Sequence, residues 1–142
     1  MEEKADLQKK KRKKKKRKKG ANGRAKGGRV EREFVTLLVD QGMLSARRSS
    51  QYSAKVEGDP DIVCSELSSF HLEVKGRKDN ALYEWLHQAR ADSRGKTIPM
   101  VAIKRPLKPW IVMMGIEEWL KLANVYEWYV KHYLPSQENE IT

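Results

Sequence analysis

Two short apolar segments joined by a polar connection limit what this chain can fold into more than any other feature. Residues 62–64 form the first segment, after the Gly-Asp-Pro of positions 58–60, and residues 70–74 form the second, before Gly76. Apolar runs of this length, bounded by turn-forming residues, are typical of β-strands with a buried face. The spacing therefore predicts a β-hairpin near the middle of the chain.

Charged residues occur in this hairpin where a buried strand would normally exclude them. Because successive side chains of a strand point to opposite faces, His71, Glu73 and Lys75 share one face, with Asp61 at the start of the neighbouring strand. Such a group is a compact site for a hard divalent cation and a water molecule. The spacing also arises by chance, and a purely structural cluster is the alternative interpretation.

Phosphodiester hydrolysis gives each of these residues a role. We expect Asp61 and Glu73 to give one carboxylate oxygen each to the cation, and the carbonyl of Val74 to give another. Lys75 would orient the attacking water or stabilise the developing charge. Glu31 is a further candidate, for a second ion or a metal-bound water.

The case for Glu31 comes from an expected helix over residues 30–41, in which apolar residues recur at helical spacing until Gly42. At about 100° per residue, Glu31 falls inside the apolar sector and Glu33 outside it. A carboxylate that faces a core needs a cation or hydrogen bonds. A glutamate at the core boundary, paired with an arginine, explains the pattern of Glu31 about as well.

The net charge of +11 is concentrated in one end of the chain. Residues 1–28 contain 14 Lys/Arg and 3 Asp/Glu, whereas residues 29–142 contain 16 of each. We expect residues 1–28 to be a disordered arm that binds nucleic acid through phosphate contacts. A nuclear-localisation signal and a solubilising tail are the alternatives. Residues 29–134 are expected to be a single folded domain, and residues 135–142 a C-terminal tail.

The rest of the composition is that of a reduced, non-membrane protein. The single cysteine, Cys64, excludes an intrachain disulfide and is expected to be buried in its apolar run. No apolar run approaches the roughly 20 residues needed to cross a bilayer, and no signal peptide is expected. These features predict a cytoplasmic protein, in a prokaryote or a phage-infected cell, with no membrane partner.

The expected elements follow in the order helix, three strands, helix, two strands, helix. This order predicts an α/β fold with a mixed five-stranded sheet flanked by helices, and a crossover helix between the third and fourth strands. The last helix, over residues 116–133 and with a possible break near Asn124, is rich in aromatic residues. Core packing explains this surface, but a dimer interface is the more specific interpretation.

At this stage the motifs resemble a known family. Pro60-Asp61 followed by Glu73-Val74-Lys75 is similar to the PD-(D/E)-x-K nuclease signature, on a restriction-endonuclease-like core. The segments 26–32, 59–63 and 72–79 resemble, in order, the three motifs of archaeal-type Holliday junction resolvases and their phage-encoded relatives. Gln88 lies in the following helix, where that family also tends to place a glutamine. The resemblance covers about residues 26–120.

The resemblance implies a homodimeric endonuclease of DNA recombination or repair, which nicks a four-way junction symmetrically. It implies Mg²⁺ as cofactor, with Mn²⁺ as a substitute, and no small-molecule cofactor. A catalytic serine of the family would correspond to Ser50 or Ser53. Another nuclease of the same fold, acting on linear or damaged DNA, and a non-catalytic nucleic-acid-binding protein are the alternatives. Basic residues near the motifs are the expected DNA contacts: Lys26, Arg29, Arg32, Arg47, Arg48, Lys55, Arg77 and Lys78.

Overall fold

Eight helices and strands, with short 3₁₀ segments, make up the described part of the protein. The structure is a computed structural model, and it describes residues 23–49, 56–76 and 81–134. In chain order the elements are helix α1 (residues 23–40), strands β1 (Arg47–Arg48), β2 (Ile62–Val63) and β3 (Phe70–Lys75), helix α2 (Leu82–Ser93), strands β4 (Ile98–Ile103) and β5 (Ile111–Met113), and helix α3 (Ile116–Tyr133).

The five strands form one mixed sheet in the order β1-β2-β3-β4-β5. β2 and β3 are antiparallel, with Ile62 opposite Leu72, which confirms the predicted hairpin. β3 and β4 are parallel, and α2 is the crossover between them. The outer pairs, β1 with β2 and β4 with β5, are antiparallel. The predicted fold class is therefore confirmed, including the position of the crossover helix.

The sheet has a core on each face. Helix α1 packs on one face through its apolar stripe, and α2 packs on the other through Trp85 and Ala89, against Val101 and Ile103 of β4. Because Glu73 is opposite Val101 and Lys75 is opposite Ile103, the charged side chains of β3 lie on the α2 face. The core on the α1 face consists of Val30, Phe34, Leu38, Ala46, Ile62, Cys64, Leu72, Val74 and Ala102.

The hairpin connection is a 3₁₀ turn, Ser65–Leu67, which hydrogen bonds attach to the segment before β1. The hydroxyl and the backbone N–H of Ser45 both donate to the carboxylate of Glu66. These bonds lower the pKa of Glu66 to about 2, and the bond from the hydroxyl has the largest effect. The carboxylate therefore stays charged, and keeps both bonds, at any physiological pH.

Helix α1 starts earlier than the sequence predicts. It is already helical at residue 23, six residues before the expected start of the folded domain at residue 29. Gly28 in this first part of the helix is buried, and a Cβ there would lie 3.0 Å from Nη2 of Arg48. Residues 1–22, the remainder of the expected arm, and residues 135–142, the expected tail, lie outside the described residues.

A close contact between Gly76 and Val30 joins α1 to the end of β3. A Cβ at Gly76 would lie 2.6 Å from Cγ2 of Val30 and within 3.3 Å of two further atoms of that side chain. Real Cβ atoms do not approach other heavy atoms so closely, so the glycine is what allows the helix to sit this near the strand. This contact brings the Glu31 region of α1 to the edge of the sheet where β3 ends.

We expect Gly76→Ala to lower the free energy of unfolding by about 1–3 kcal/mol, because Val30 is buried and has no room to move aside. Urea unfolding followed by circular dichroism measures the change. Gly27→Ala is the matched control, since it lies within α1 and a Cβ there meets no atom within 4 Å. That control should stabilise the helix by roughly 0.5–1 kcal/mol. Equal stability of Gly76→Ala and the parent protein would contradict the contact.

Helix α3 is continuous, without the break considered near Asn124, and it is only lightly attached to the sheet. Acidic residues in its first turn and basic residues in its last turn stabilise the helix dipole. The Nη2 atom of Arg90 on α2 lies 2.9 Å from Oε2 of Glu118, a hydrogen bond that lowers the pKa of the glutamate. Within the described residues, none of the 18 residues of α3 is buried.

None of the helices in the described part of the chain has the length and apolar character needed to cross a membrane.

Candidate active site

Asp61 is fixed at the start of β2 by its backbone and its side chain together. Its N–H donates to the carbonyl of Leu72, and its carbonyl accepts from the N–H of Ser49, each at 2.9 Å. Its Oδ2 accepts a hydrogen bond of 2.8 Å from the backbone N–H of Val74. The carboxylate thus supplies the hydrogen-bond acceptor that Val74 lacks beyond the start of β2.

The carbonyl of Val74 lies on the same side of the strand as Asp61. In an antiparallel pair, the N–H and C=O of one residue both point to the same neighbouring strand. Leu72 accepts from the N–H of Asp61 and Val74 donates to its carboxylate, so both face the β2 side. The Val74 carbonyl and the Asp61 carboxylate therefore both lie on the β2 side of β3.

Glu73 and Lys75 form an ion pair on the α2 face of β3. The Nζ atom of Lys75 lies 3.2 Å from Oε2 of Glu73, whose side chain is only 2% exposed, whereas that of Lys75 is 18% exposed. The other carboxylate oxygen, Oε1, lies 3.1 Å from Nε2 of His71, which is also buried. Each oxygen of this buried carboxylate therefore has a partner, which offsets the cost of burying the charge.

Glu31 lies in an ion pair on the edge of α1. The Nε atom of Arg48 lies 2.7 Å from Oε2 of Glu31, and the two side chains are 23% and 19% exposed. This is the arginine-paired boundary position that was the alternative interpretation of Glu31. Glu33, expected to be solvated, is 46% exposed and pairs with Arg29 one turn earlier.

A second group of ligand atoms lies around Glu73, and the sequence pattern only partly indicated it. Within the described residues, His71, Glu73 and Asp92 each offer one ligand atom, and these atoms lie within 4.8 Å of one another. The sequence had placed His71 on this face without a role and had not singled out Asp92. Neither Asp61 nor Glu31 is a member of this group of three.

Gln88 and Asp92 are on the same side of α2, one turn apart. Together with the turn at residues 56–59 they line a cleft of about 480 Å³. Gly58 lies in this turn with a φ of +87°, a backbone conformation that residues with a side chain rarely adopt. The spacing of four residues from Gln88 was the available signal for Asp92.

The expected DNA contacts differ in how exposed they are. Lys26, Arg29 and Arg32 are exposed on α1, and Arg47 is exposed on β1, whereas Arg48 is held by Glu31. These four exposed residues can meet phosphate oxygens directly. The expected residues that lie outside the described part of the chain are Ser50, Ser53, Lys55, Arg77 and Lys78.

Comparison with known families decides the class of this site. Residues 22–141 match the sequence profile of the family described as "Phage putative PDDEXK endonuclease". The chain belongs to this family. The PDDEXK assignment places the chain among nucleases, a class that typically uses a divalent metal.

Among solved structures, the chain is similar to Hjc from Archaeoglobus fulgidus, a Holliday junction resolvase from an archaeal hyperthermophile. The identity is 28% over 62% of this chain and 76% of that chain, with a TM-score of 0.47. No curated protein matches the sequence.

Proposed function

We propose that this member of the PDDEXK endonuclease family is a metal-dependent DNA endonuclease that resolves four-way junctions by paired, symmetric nicks. The observation that supports the proposal most strongly is the hydrogen bond from Val74 to Asp61 beside the Glu73–Lys75 ion pair. Asp61 contacts Val74, which lies between Glu73 and Lys75 on β3, so the proposal assigns the two acids and the lysine of the PD-(D/E)-x-K signature to one site. The order of the three sequence motifs supports the choice of substrate.

The donors at this edge suit Mg²⁺. Asp61, Glu73 and the Val74 carbonyl offer only oxygen atoms, which hard cations prefer, and Mg²⁺ usually retains several water ligands beside one or two carboxylates. When bound, the ion would neutralise charge on the scissile phosphate and lower the pKa of a bound water. In our proposal these three residues hold it, with Mn²⁺ as a substitute.

The other side chains position water and phosphate. Lys75 donates one N–H to Glu73, and an ammonium has three, so it can also donate to the attacking water or to a phosphate oxygen. Glu31 is proposed to accept a hydrogen bond from a metal-bound water, while Arg48 holds its carboxylate in place. Gln88, on the neighbouring cleft, is proposed to position the substrate.

Paired nicks require two active sites, and α3 offers a surface on which two copies could associate. Trp119, Leu122, Tyr126, Tyr129 and Tyr133 are spaced alternately by three and four residues, as in the contact seam of a coiled coil. All of them are partly or fully exposed in the chain taken alone. A self-complementary aromatic seam suits a two-fold dimer, because each residue can meet the same surface of the other copy.

We expect Tyr126→Glu, in the middle of this seam, to weaken the dimer about 100-fold or more, because the two-fold axis places both new charges in one interface. Sedimentation velocity over a range of protein concentrations measures the change. Val125→Glu is the matched control: it adds the same charge to the adjacent exposed residue, which lies off the seam. If both variants sediment like the parent protein, α3 is not the dimer interface.

Cleavage of a labelled four-way junction, compared with a linear duplex of the same sequence, tests the proposed activity. We expect Mg²⁺-dependent nicks at symmetric positions in the junction and none in the duplex, with no cleavage after addition of a chelator. Equal cleavage of both substrates would contradict the junction assignment and favour a repair or restriction role. Binding without cleavage of either would contradict the enzymatic proposal.

A further inference from the structure

The buried side of Glu73, away from Lys75, has a donor set of a different chemical character. Asp61 lies beside Val74, toward the Lys75 end of the strand, whereas His71 lies on the opposite side of Glu73. Oε2 of Glu73 contacts Lys75, and Oε1 contacts His71. The possible metal ligands on the two sides of Glu73 therefore differ. On the Lys75 side they are all oxygen atoms, and on the other side they include the imidazole nitrogen of His71.

We propose that His71, Glu73 and Asp92 form a second cation site, selective for a divalent transition-metal ion such as Mn²⁺ over Mg²⁺. This site rests on the proposed function, because Glu73 would be shared between the two cation sites. Imidazole is a ligand for transition metals, whereas Mg²⁺ prefers oxygen donors alone. A carboxylate shared between two ions is the arrangement of two-metal sites, whose ions are about 3.5–4 Å apart.

The distances fit one ion at this position. Two ligands at right angles around an ion, each with a bond of about 2.1 Å, are about 3.0 Å apart, and two opposite ligands are about 4.2 Å apart. Nε2 of His71 and Oε1 of Glu73 are 3.1 Å apart, close to the first value. All three ligand atoms lie within 4.8 Å of one another, so only a small movement of Asp92 completes the site.

The three ligands differ in burial, so that two of them are held rigidly and the third is accessible from solvent. His71 and Glu73 are 4% and 2% exposed, and β3 fixes their backbones, whereas Asp92 is only partly buried. Asp92 also lines the cleft at the turn of residues 56–59, together with the acidic residues Glu57 and Asp59. Asp92 therefore belongs both to the group around His71 and to a cleft lined by three carboxylates, whose charge favours the approach of a cation.

Binding of Mn²⁺ in the presence of excess Mg²⁺, measured by electron paramagnetic resonance on the full chain without DNA, tests this proposal. The excess Mg²⁺ occupies sites that have only oxygen ligands, so the bound Mn²⁺ reports the site with the nitrogen ligand. We expect about one Mn²⁺ per chain to remain bound. Both His71→Gln and Asp92→Asn should weaken that binding at least about tenfold.

Two controls make the result decisive. Glu57→Gln removes the same charge from the same cleft without touching the three ligands, and should change the affinity for Mn²⁺ less than twofold. Asp92 is partly exposed, so Asp92→Asn should fold even if the buried His71→Gln variant does not. Unchanged Mn²⁺ binding by Asp92→Asn would overturn the site and leave a hydrogen-bonded cluster that orients Glu73. Asp61→Asn should retain this Mn²⁺, because Asp61 is not one of the three ligands. The Mn²⁺ measurement does not involve DNA cleavage, so a failure of the nuclease proposal would be seen in the cleavage assay instead.

Discussion

Replacement of Asp61 by asparagine should reduce the rate of DNA cleavage about 100- to 1,000-fold, the range found when one group that stabilises developing charge is removed. The variant removes the negative charge that would hold the metal, but it keeps an oxygen that can accept the hydrogen bond from Val74. We therefore expect the loss of activity without a loss of folding. Single-turnover cleavage of a labelled junction in Mg²⁺ measures the effect.

Asp40→Asn is the matched control for this variant, because Asp40 is an exposed acid at the end of α1. It should cleave at the parent rate. Junction binding by Asp61→Asn, measured in the presence of Ca²⁺ or without metal, should also stay within about threefold of the parent value, since the expected phosphate contacts are made by basic side chains. Cleavage by Asp61→Asn at the parent rate would remove Asp61 from the proposed site.

Local pattern was sufficient to predict how the hairpin places its residues in the candidate site. The two-residue period of a strand put Glu73 and Lys75 on one face, and the turn before residue 62 put Asp61 at the start of the neighbouring strand. The structure has the same arrangement, because the register of a hairpin follows from its own two strands and their connection. No distant part of the chain was needed.

Contacts between distant elements could not be predicted in this way. Helical periodicity indicated that Glu31 faces the core, but it could not identify Arg48, which is 17 residues away, as the partner. Asp92 reaches Glu73 because the parallel β3–β4 crossover places α2 over that face of the sheet. Its side-chain position depends on how the helix packs, and a sequence pattern does not contain that information.

The last helix shows a different limit. Its aromatic residues were consistent both with a core and with an interface, because either environment favours large apolar side chains. The structure argues against core packing within one chain, because none of the residues of α3 is buried in the described part of the chain. Four of its exposed aromatic residues, with Leu122, follow a coiled-coil spacing. Their exposure in a single chain is the reason that the dimer proposal depends on α3 rather than on the sheet.

Deletion of residues 1–22 should weaken DNA binding about 10- to 100-fold at roughly 50 mM salt and make it less dependent on salt. The segment has 12 Lys/Arg and 3 Asp/Glu, and each phosphate that the protein no longer neutralises should lower the slope of log affinity against log salt by about 0.9. Fluorescence anisotropy over a salt series measures both quantities.

A matched variant in which every lysine from Lys9 to Lys19 becomes arginine keeps the charge and should keep the slope. Cleavage at saturating DNA should be unchanged, because the proposed metal ligands lie elsewhere, and an unchanged slope in the deletion would mean that the arm does not bind DNA.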